Sequence, residues 1–216
     1  MSTPRCEVPL ILTPQEYHWG YPYVEVKLAH WHWEGDHPYR PETWADLWAT
    51  PDALNVCLHT YEPQPVAFYS RRDTPVCEDS CLEFFIAPKE GDAHYINVEV
   101  NPKGAYLSAI GADREHRTFL KDLTKLAPTV SAGPVMIGET DEQWGWKAKI
   151  ILPLPLLRAL YGKDFTLYDG QKMRGNFYKC GDDTPRPHWG AWSPVTDNPP
   201  GFHNPACFGE IVLKLV

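Results

Sequence analysis

Apolar and polar residues alternate with a period of two along most of this chain, the pattern of β-strands whose successive side chains point to opposite faces. Residues 24–33 place Val24, Val26 and Leu28 on one face and Glu25 and Lys27 on the other. Residues 54–61 and 81–86 predict two further strands, the latter stopped by Pro88. Residues 94–100 and 105–110 flank Asn101-Pro102-Lys103-Gly104, which predicts a β-hairpin. Residues 129–137 and 144–152 predict an antiparallel pair joined by the polar residues 138–142. In the second of these runs Trp144, Trp146, Ala148, Ile150 and Leu152 share one face. Residues 176–180 and 208–216 supply the last strands.

Helical periodicity is sparse. Residues 41–48 fit one or two turns with Pro near the start, and residues 155–161, followed by Gly162, predict a short helix. Residues 114–125 fit either state. Strands in succession with long Pro-rich connections predict an all-β fold, a two-sheet antiparallel β-sandwich with one or two short helices in its connections. No linker, repeat or low-complexity tract divides the chain, so residues 1–216 read as a single domain.

Composition sharpens this picture in two places. The chain has 22 Pro, about twice the usual ~5% share, which favours turns and loops over helices. Aromatic residues reach 13% with nine Trp, enough for a wide core or for a surface that stacks on flat ligands. The net charge of −8 argues against a nucleic-acid partner, which needs a basic stripe. No run approaches the ~18 apolar residues of a membrane span, and the first residues show no basic region followed by an apolar core. The expected compartment is therefore the cytoplasm, and the six cysteines are expected as free thiols. Cys77 and Cys81 are spaced like metal ligands, but no second Cys/His pair follows them in sequence, so they read as strand cysteines.

Candidate chemistry falls in three places. If the strands at 81–86 and 94–100 are neighbours, Glu83, Asn97 and Glu99 form one polar row, whose plainest reading is a solvated outer face. Arg71-Arg72-Asp73 offers a guanidinium for recognition, or a loop ion pair with Asp73. The C-terminal third is the richest. In residues 176–182, 187–194 and 200–209, aromatic rings alternate with Asn, Lys, His, Ser and Asp on Pro/Gly-rich loops, among them Lys179, Trp189, Trp192, Phe202 and His203. A sugar presents an apolar C–H face and a rim of hydroxyls, so a ring with a few fixed donors and acceptors is its complement.

Residues 77–85, residues 95–104 and the three C-terminal motifs resemble the family 9 carbohydrate-binding modules, in particular the family 9-like branch related to the DOMON β-sandwiches. The resemblance spans residues 24–216. It implies a non-catalytic β-sandwich that binds an oligosaccharide or glycan end and serves carbohydrate catabolism. The partner it implies is a glycoside hydrolase or another sugar-utilisation protein; no cofactor is required, and structural calcium occurs in some members. In that family two tryptophans clamp a terminal sugar. One position corresponds here to Phe202 and the other to Val76, which cannot stack, so Tyr69 or Trp189 would have to supply the second ring. The family's acidic residue is matched by Glu83 and its polar strand position by Asn97. With Arg71, Lys179 and His203 these complete the candidate carbohydrate-binding set.

Three other readings compete. A glycoside hydrolase would use Glu83 and Glu99 as a carboxyl pair about 5 Å or ~6.5–9.5 Å apart. Val76 in place of a tryptophan would suit a protein-interaction scaffold with a degenerate sugar site. Haem binding would need an axial Met or His, and only Met136, Met173 and histidines such as His30 and His32 offer one.

Overall fold

In the computed structural model, which describes residues 3–13, 20–32, 37–137, 143–197 and 201–216, the period-two pattern becomes fourteen strands. They are β1 (Arg5–Leu10), β2 (Val24–Lys27), β3 (His30–His32), β4 (Thr43–Thr50), β5 (Ala53–Thr60), β6 (Cys81–Ala87) and β7 (Tyr95–Val100). The remaining seven are β8 (Tyr106–Gly111), β9 (Arg117–Phe119), β10 (Thr129–Ile137), β11 (Gln143–Pro153), β12 (Lys172–Cys180), β13 (Trp189–Ala191) and β14 (Gly209–Leu215). Two short helices, α1 (Leu120–Leu123) and α2 (Leu154–Tyr161), sit in connections.

Hydrogen bonds join the strands into one sheet in the order β10-β11-β5-β4-β1-β14-β12-β6-β7-β8-β9. β2 lies beside β4, and β13 links β12 to β3. Leu47, Val56, Leu58, Ala148 and Ile150 from one half meet Phe84, Val98, Phe177 and Ile211 from the other in one buried cluster. The sheet therefore curls over itself to enclose its core, giving an all-β, sandwich-like fold.

The pairing is mixed, which corrects the expectation of purely antiparallel strands. β1 runs parallel to β14 from Arg5↔Glu210 to Leu10↔Leu215 and touches β4 in the same sense at Leu10↔Ala49. No tight turn joins β1 to either neighbour in sequence, so nothing forces it into an antiparallel hairpin. Its own alternation is clear, with Cys6, Val8 and Leu10 buried in the core.

Residues 41–48 also depart from expectation. They form β4 and not a helix, because Thr43, Ala45, Leu47 and Ala49 are buried while Trp44, Asp46 and Trp48 are half-buried, a period of two. The single strand expected at 24–33 divides into β2 and β3, with Trp33 outside the described residues. Trp146, Ala148, Ile150 and Leu152 are buried as their alternation requires, whereas Trp144 at the strand's start is exposed. The turn at 138–142 also lies outside the described residues. The helix at 155–161 is present as α2 and stops at Gly162, which adopts φ +108°. The hairpin at 101–104 turns through Gly104 at φ +79°.

Candidate functional site

Alternation sorts the middle strands into two faces. Leu82, Phe84, Ile86, Ile96, Val98 and Phe177 point into the main core. The opposite face carries Cys81, Glu83 and Phe85 of β6, Tyr95, Asn97 and Glu99 of β7, and Tyr178 and Cys180 of β12. Strand register aligns Tyr178, Glu83, Glu99 and Leu107 in one cross-strand row. This face is not solvated. Glu83 and Glu99 each keep 3% exposure and Asn97 none. Two small clusters built around Val76, Phe208 and neighbouring rings cover it, and Phe202 packs against both.

The cover leaves one opening beside the acidic row, a cavity of about 190 Å³. Buried Glu83 and Glu99 form its floor, and Arg117, Asp182, Trp189, Phe202 and His203 are among its walls. The Phe202 ring is stacked on Tyr178 at 4.1 Å and 11°, and its backbone carbonyl accepts the Tyr178 hydroxyl at 3.0 Å. One ring face is thus fixed by the protein. Trp189 donates its indole N–H to Asp182 at 2.7 Å and meets His37 edge-on.

A guanidinium bonds one of the two floor carboxylates. Arg117 bonds Glu99 at 3.1 Å, and Asn97 donates to the same oxygen at 2.8 Å. Burial raises the Glu99 carboxyl above its ordinary value, and Arg117 opposes that shift without cancelling it. Glu83 lacks such a cation. Its carboxylate accepts the Cys180 thiol at 3.1 Å, and burial, with Glu99 adding to it, pushes its carboxyl well above the ordinary value. His203 is lowered to about 3 by burial and then by Arg117, so its ring is neutral at physiological pH. Arg117 can only donate, which makes His203 Nε2 the acceptor at 3.4 Å and Nδ1–H the donor to the Tyr95 oxygen at 2.8 Å.

Of the candidates named from sequence, Glu83, Trp189, Phe202 and His203 border this cavity. Asn97 stands behind it, orienting Glu99. Tyr69 lies off the cavity, its hydroxyl bonded to Glu78 and its backbone N–H to Asp79. Arg71 is exposed on a loop away from the cavity, and it is Arg72 that pairs with Asp73, at 3.4 Å, and covers the Tyr106 ring.

Lys179 faces the other way. It shares the Phe177 side of β12 and is fully buried, bonding Glu62 at 3.1 Å, His188 Nε2 at 2.6 Å and the Cys180 carbonyl at 2.9 Å. Val76 is buried in the cluster below Trp189, so it neither stacks nor opens a gap.

Other residues enter the site without a sequence signal of their own. Arg117 sits on a three-residue strand in a segment of ambiguous periodicity, and Arg114 lies in a connection, whereas Asp182 closes the 176–182 motif, whose pattern does not single it out. The Asp79-Ser80 pair has a framework role. Asp79 accepts N–H groups from Phe68 and Tyr69 and the Asn101 side chain, while Ser80 joins Glu62 to Val66. Gly209 is required by close approach, since a Cβ there would collide with the buried Trp192 ring. Trp192 itself packs on Phe177 in the main core and is framework.

The sequence profile of carbohydrate-binding family 9 matches residues 21–213. The chain belongs to carbohydrate-binding family 9. Such modules are non-catalytic, so the Glu83/Glu99 pair is not a hydrolytic one. A protein of Bacteroides uniformis, provisionally described as carbohydrate-binding, is similar at 28% identity and a TM-score of 0.78, over 99% of this chain and 100% of that one. A family 9 module of Caldicellulosiruptor kristjanssonii solved with cellotriose has a TM-score of 0.61 at 14% identity, over 98% of this chain and 95% of that one. The same organism's module solved with glucose gives 0.59 at 14%, over 99% and 97%. At that identity the likeness shows a shared fold. No curated protein matches the chain.

Proposed function

We propose that the cavity over the Glu83–Glu99 row binds one terminal sugar residue of an oligosaccharide, without catalysis, in the service of carbohydrate catabolism alongside glycoside hydrolases. The observation that carries this reading is the convergence of the Phe202 and Trp189 side chains with fixed polar groups on one small opening. Its volume of about 190 Å³ falls below the ~300–1,000 Å³ of pockets for drug-sized ligands, which suits one ring and not a buried chain. Phe202, held from behind by Tyr178, offers apolar area with little ordering cost on binding. Arg114, Arg117 and Asp182 supply directional groups for hydroxyls. Buried polar groups that lose a partner cost ~1–3 kcal/mol, so they set selectivity.

Calorimetric titration with glucose, cellobiose and cellotriose tests the assignment. The wild type is expected to bind at least one of them, and Phe202→Ala to bind it about tenfold or more weakly, because most of a buried ring's ~1.5–3 kcal/mol is lost. Trp189→Ala should show a comparable loss. Equal binding by wild type and both variants would place the sugar elsewhere. No binding of any saccharide in a broad glycan screen would favour a protein-interaction scaffold.

A further inference from the structure

The cavity floor carries donor atoms that the sugar reading leaves unused. Cys81 on β6 and Cys180 on β12 are directly opposed in the strand register, and Glu83 lies two residues from Cys81 on the same face. The two thiol sulfurs and a Glu83 oxygen all lie within 4.8 Å of one another, all three residues being buried. Cys180 and Glu83 also border the cavity, and the Cys180 sulfur stands 3.1 Å from the Glu83 oxygen.

We propose that Cys81, Cys180 and Glu83 form a binding site for one soft divalent cation of the Zn²⁺ class, with its fourth position open to the cavity. The sites lies on three residues separated by up to a hundred positions in sequence, which is why Cys77-x-x-x-Cys81 gave no complete ligand set. Zn–S bonds of about 2.3 Å and Zn–O bonds of about 2.0–2.2 Å set tetrahedral donors roughly 3.5–3.8 Å apart. The observed spacing needs side-chain adjustment of about 1 Å or less at its widest. Two thiolates and one carboxylate exclude the hard cations, because Ca²⁺ and Mg²⁺ take six or more oxygen donors. Three protein ligands and one open position is the arrangement that leaves a metal accessible to a small ligand. The burial of Glu83 also finds a reason here. It faces Glu99 across the row, while the Arg117 contact goes to Glu99, and a cation on the thiolate side would compensate it. Binding displaces the two thiol protons, and that of Glu83 where it is protonated, to solvent.

The site is tested with the metal alone, so its outcome does not depend on sugar binding. Full-length protein, reduced and stripped with a chelator, is titrated with Zn²⁺ against a chromophoric competitor and, separately, with Co²⁺ while the thiolate-to-metal charge-transfer band is followed. One Zn²⁺ per chain and a Co²⁺ charge-transfer band are expected. Cys81→Ser and Cys180→Ser should each weaken binding about 100-fold, Glu83→Gln about tenfold, and Cys57→Ser, on another strand, not at all. Absence of stoichiometric Zn²⁺ uptake by reduced, folded wild type would overturn the proposal, whatever the variants do. So would a Cys81–Cys180 disulfide found by peptide mass mapping of the protein as purified, before any reductant is added, because the pair would then be a redox couple.

Discussion

Lys179→Ala is expected to lower the stability of the fold by about 3–5 kcal/mol, since it strips one partner from a buried ion pair and leaves the other charge uncompensated. Lys179 is fully enclosed, and its ammonium directs its donors to Glu62, His188 and the Cys180 carbonyl. Glu62 in turn accepts Trp146 and Ser80, and His188 Nδ1–H donates to the Arg186 carbonyl at 2.7 Å. Lys179→Met combined with Glu62→Gln should recover most of the loss, because neither charge then remains buried. Urea denaturation of the three proteins measures this. A loss below about 1 kcal/mol in Lys179→Ala would mean that water reaches Glu62 freely.

The same network fixes the sign of the acid response. Burial raises the Glu62 carboxyl, but Lys179 and the hydrogen bonds from Trp146 and Ser80 outweigh it and hold it below its ordinary value. Burial, then Lys179, lowers His188 to about 4. Both folded values are depressed, so each group contributes stability at neutral pH that is lost as pH falls. The His188 part begins to fade below about 6.5 and is gone near 4, and the Glu62 part follows at lower pH. In Lys179→Met with Glu62→Gln, the Glu62 part of this loss should disappear.

Lys179 also shows what the sequence could reveal and where a motif obscured it. Alternation places Lys179 on the core side with Phe177, and Tyr178 with Cys180 on the cavity side. Grouping residues 176–182 as a binding motif overrode that simple parity. For Glu83, Asn97 and Glu99 parity sufficed to put them in one row, because β6 and β7 are neighbours. It could not show that the row is buried, since the cover comes from residues 76–78 and 201–208, distant in sequence. β1 was legible as Cys6, Val8 and Leu10, but its parallel docking on β14 depends on long-range packing that leaves no local mark. Arg117 was illegible for another reason. A three-residue strand has too few positions to display a period, and its partner Glu99 lies on β7, two strands away.

Arg117 carries the second large effect, because it belongs to both the fold and the site. Arg117→Ala is expected to cost about 2–3 kcal/mol of stability, below the Lys179 value because its side chain keeps 18% exposure and water screens part of the charge. Glu99 would retain only the Asn97 amide, and His203 Nε2 would lose its donor. Sugar affinity should fall about tenfold to a hundredfold, since a hydrogen bond from a charged group is worth ~1.5–3 kcal/mol. Adding Glu99→Gln separates the two roles. In the double variant Glu99 no longer stands as a buried carboxylate stripped of its cation, so the protein should regain most of the stability, yet it still lacks the guanidinium and should stay weak for sugar. Denaturant melts and calorimetry on the same preparations read both quantities. Recovery of sugar binding together with stability would make Arg117 a framework residue only, and the guanidinium donor of the cavity would then have to be Arg114.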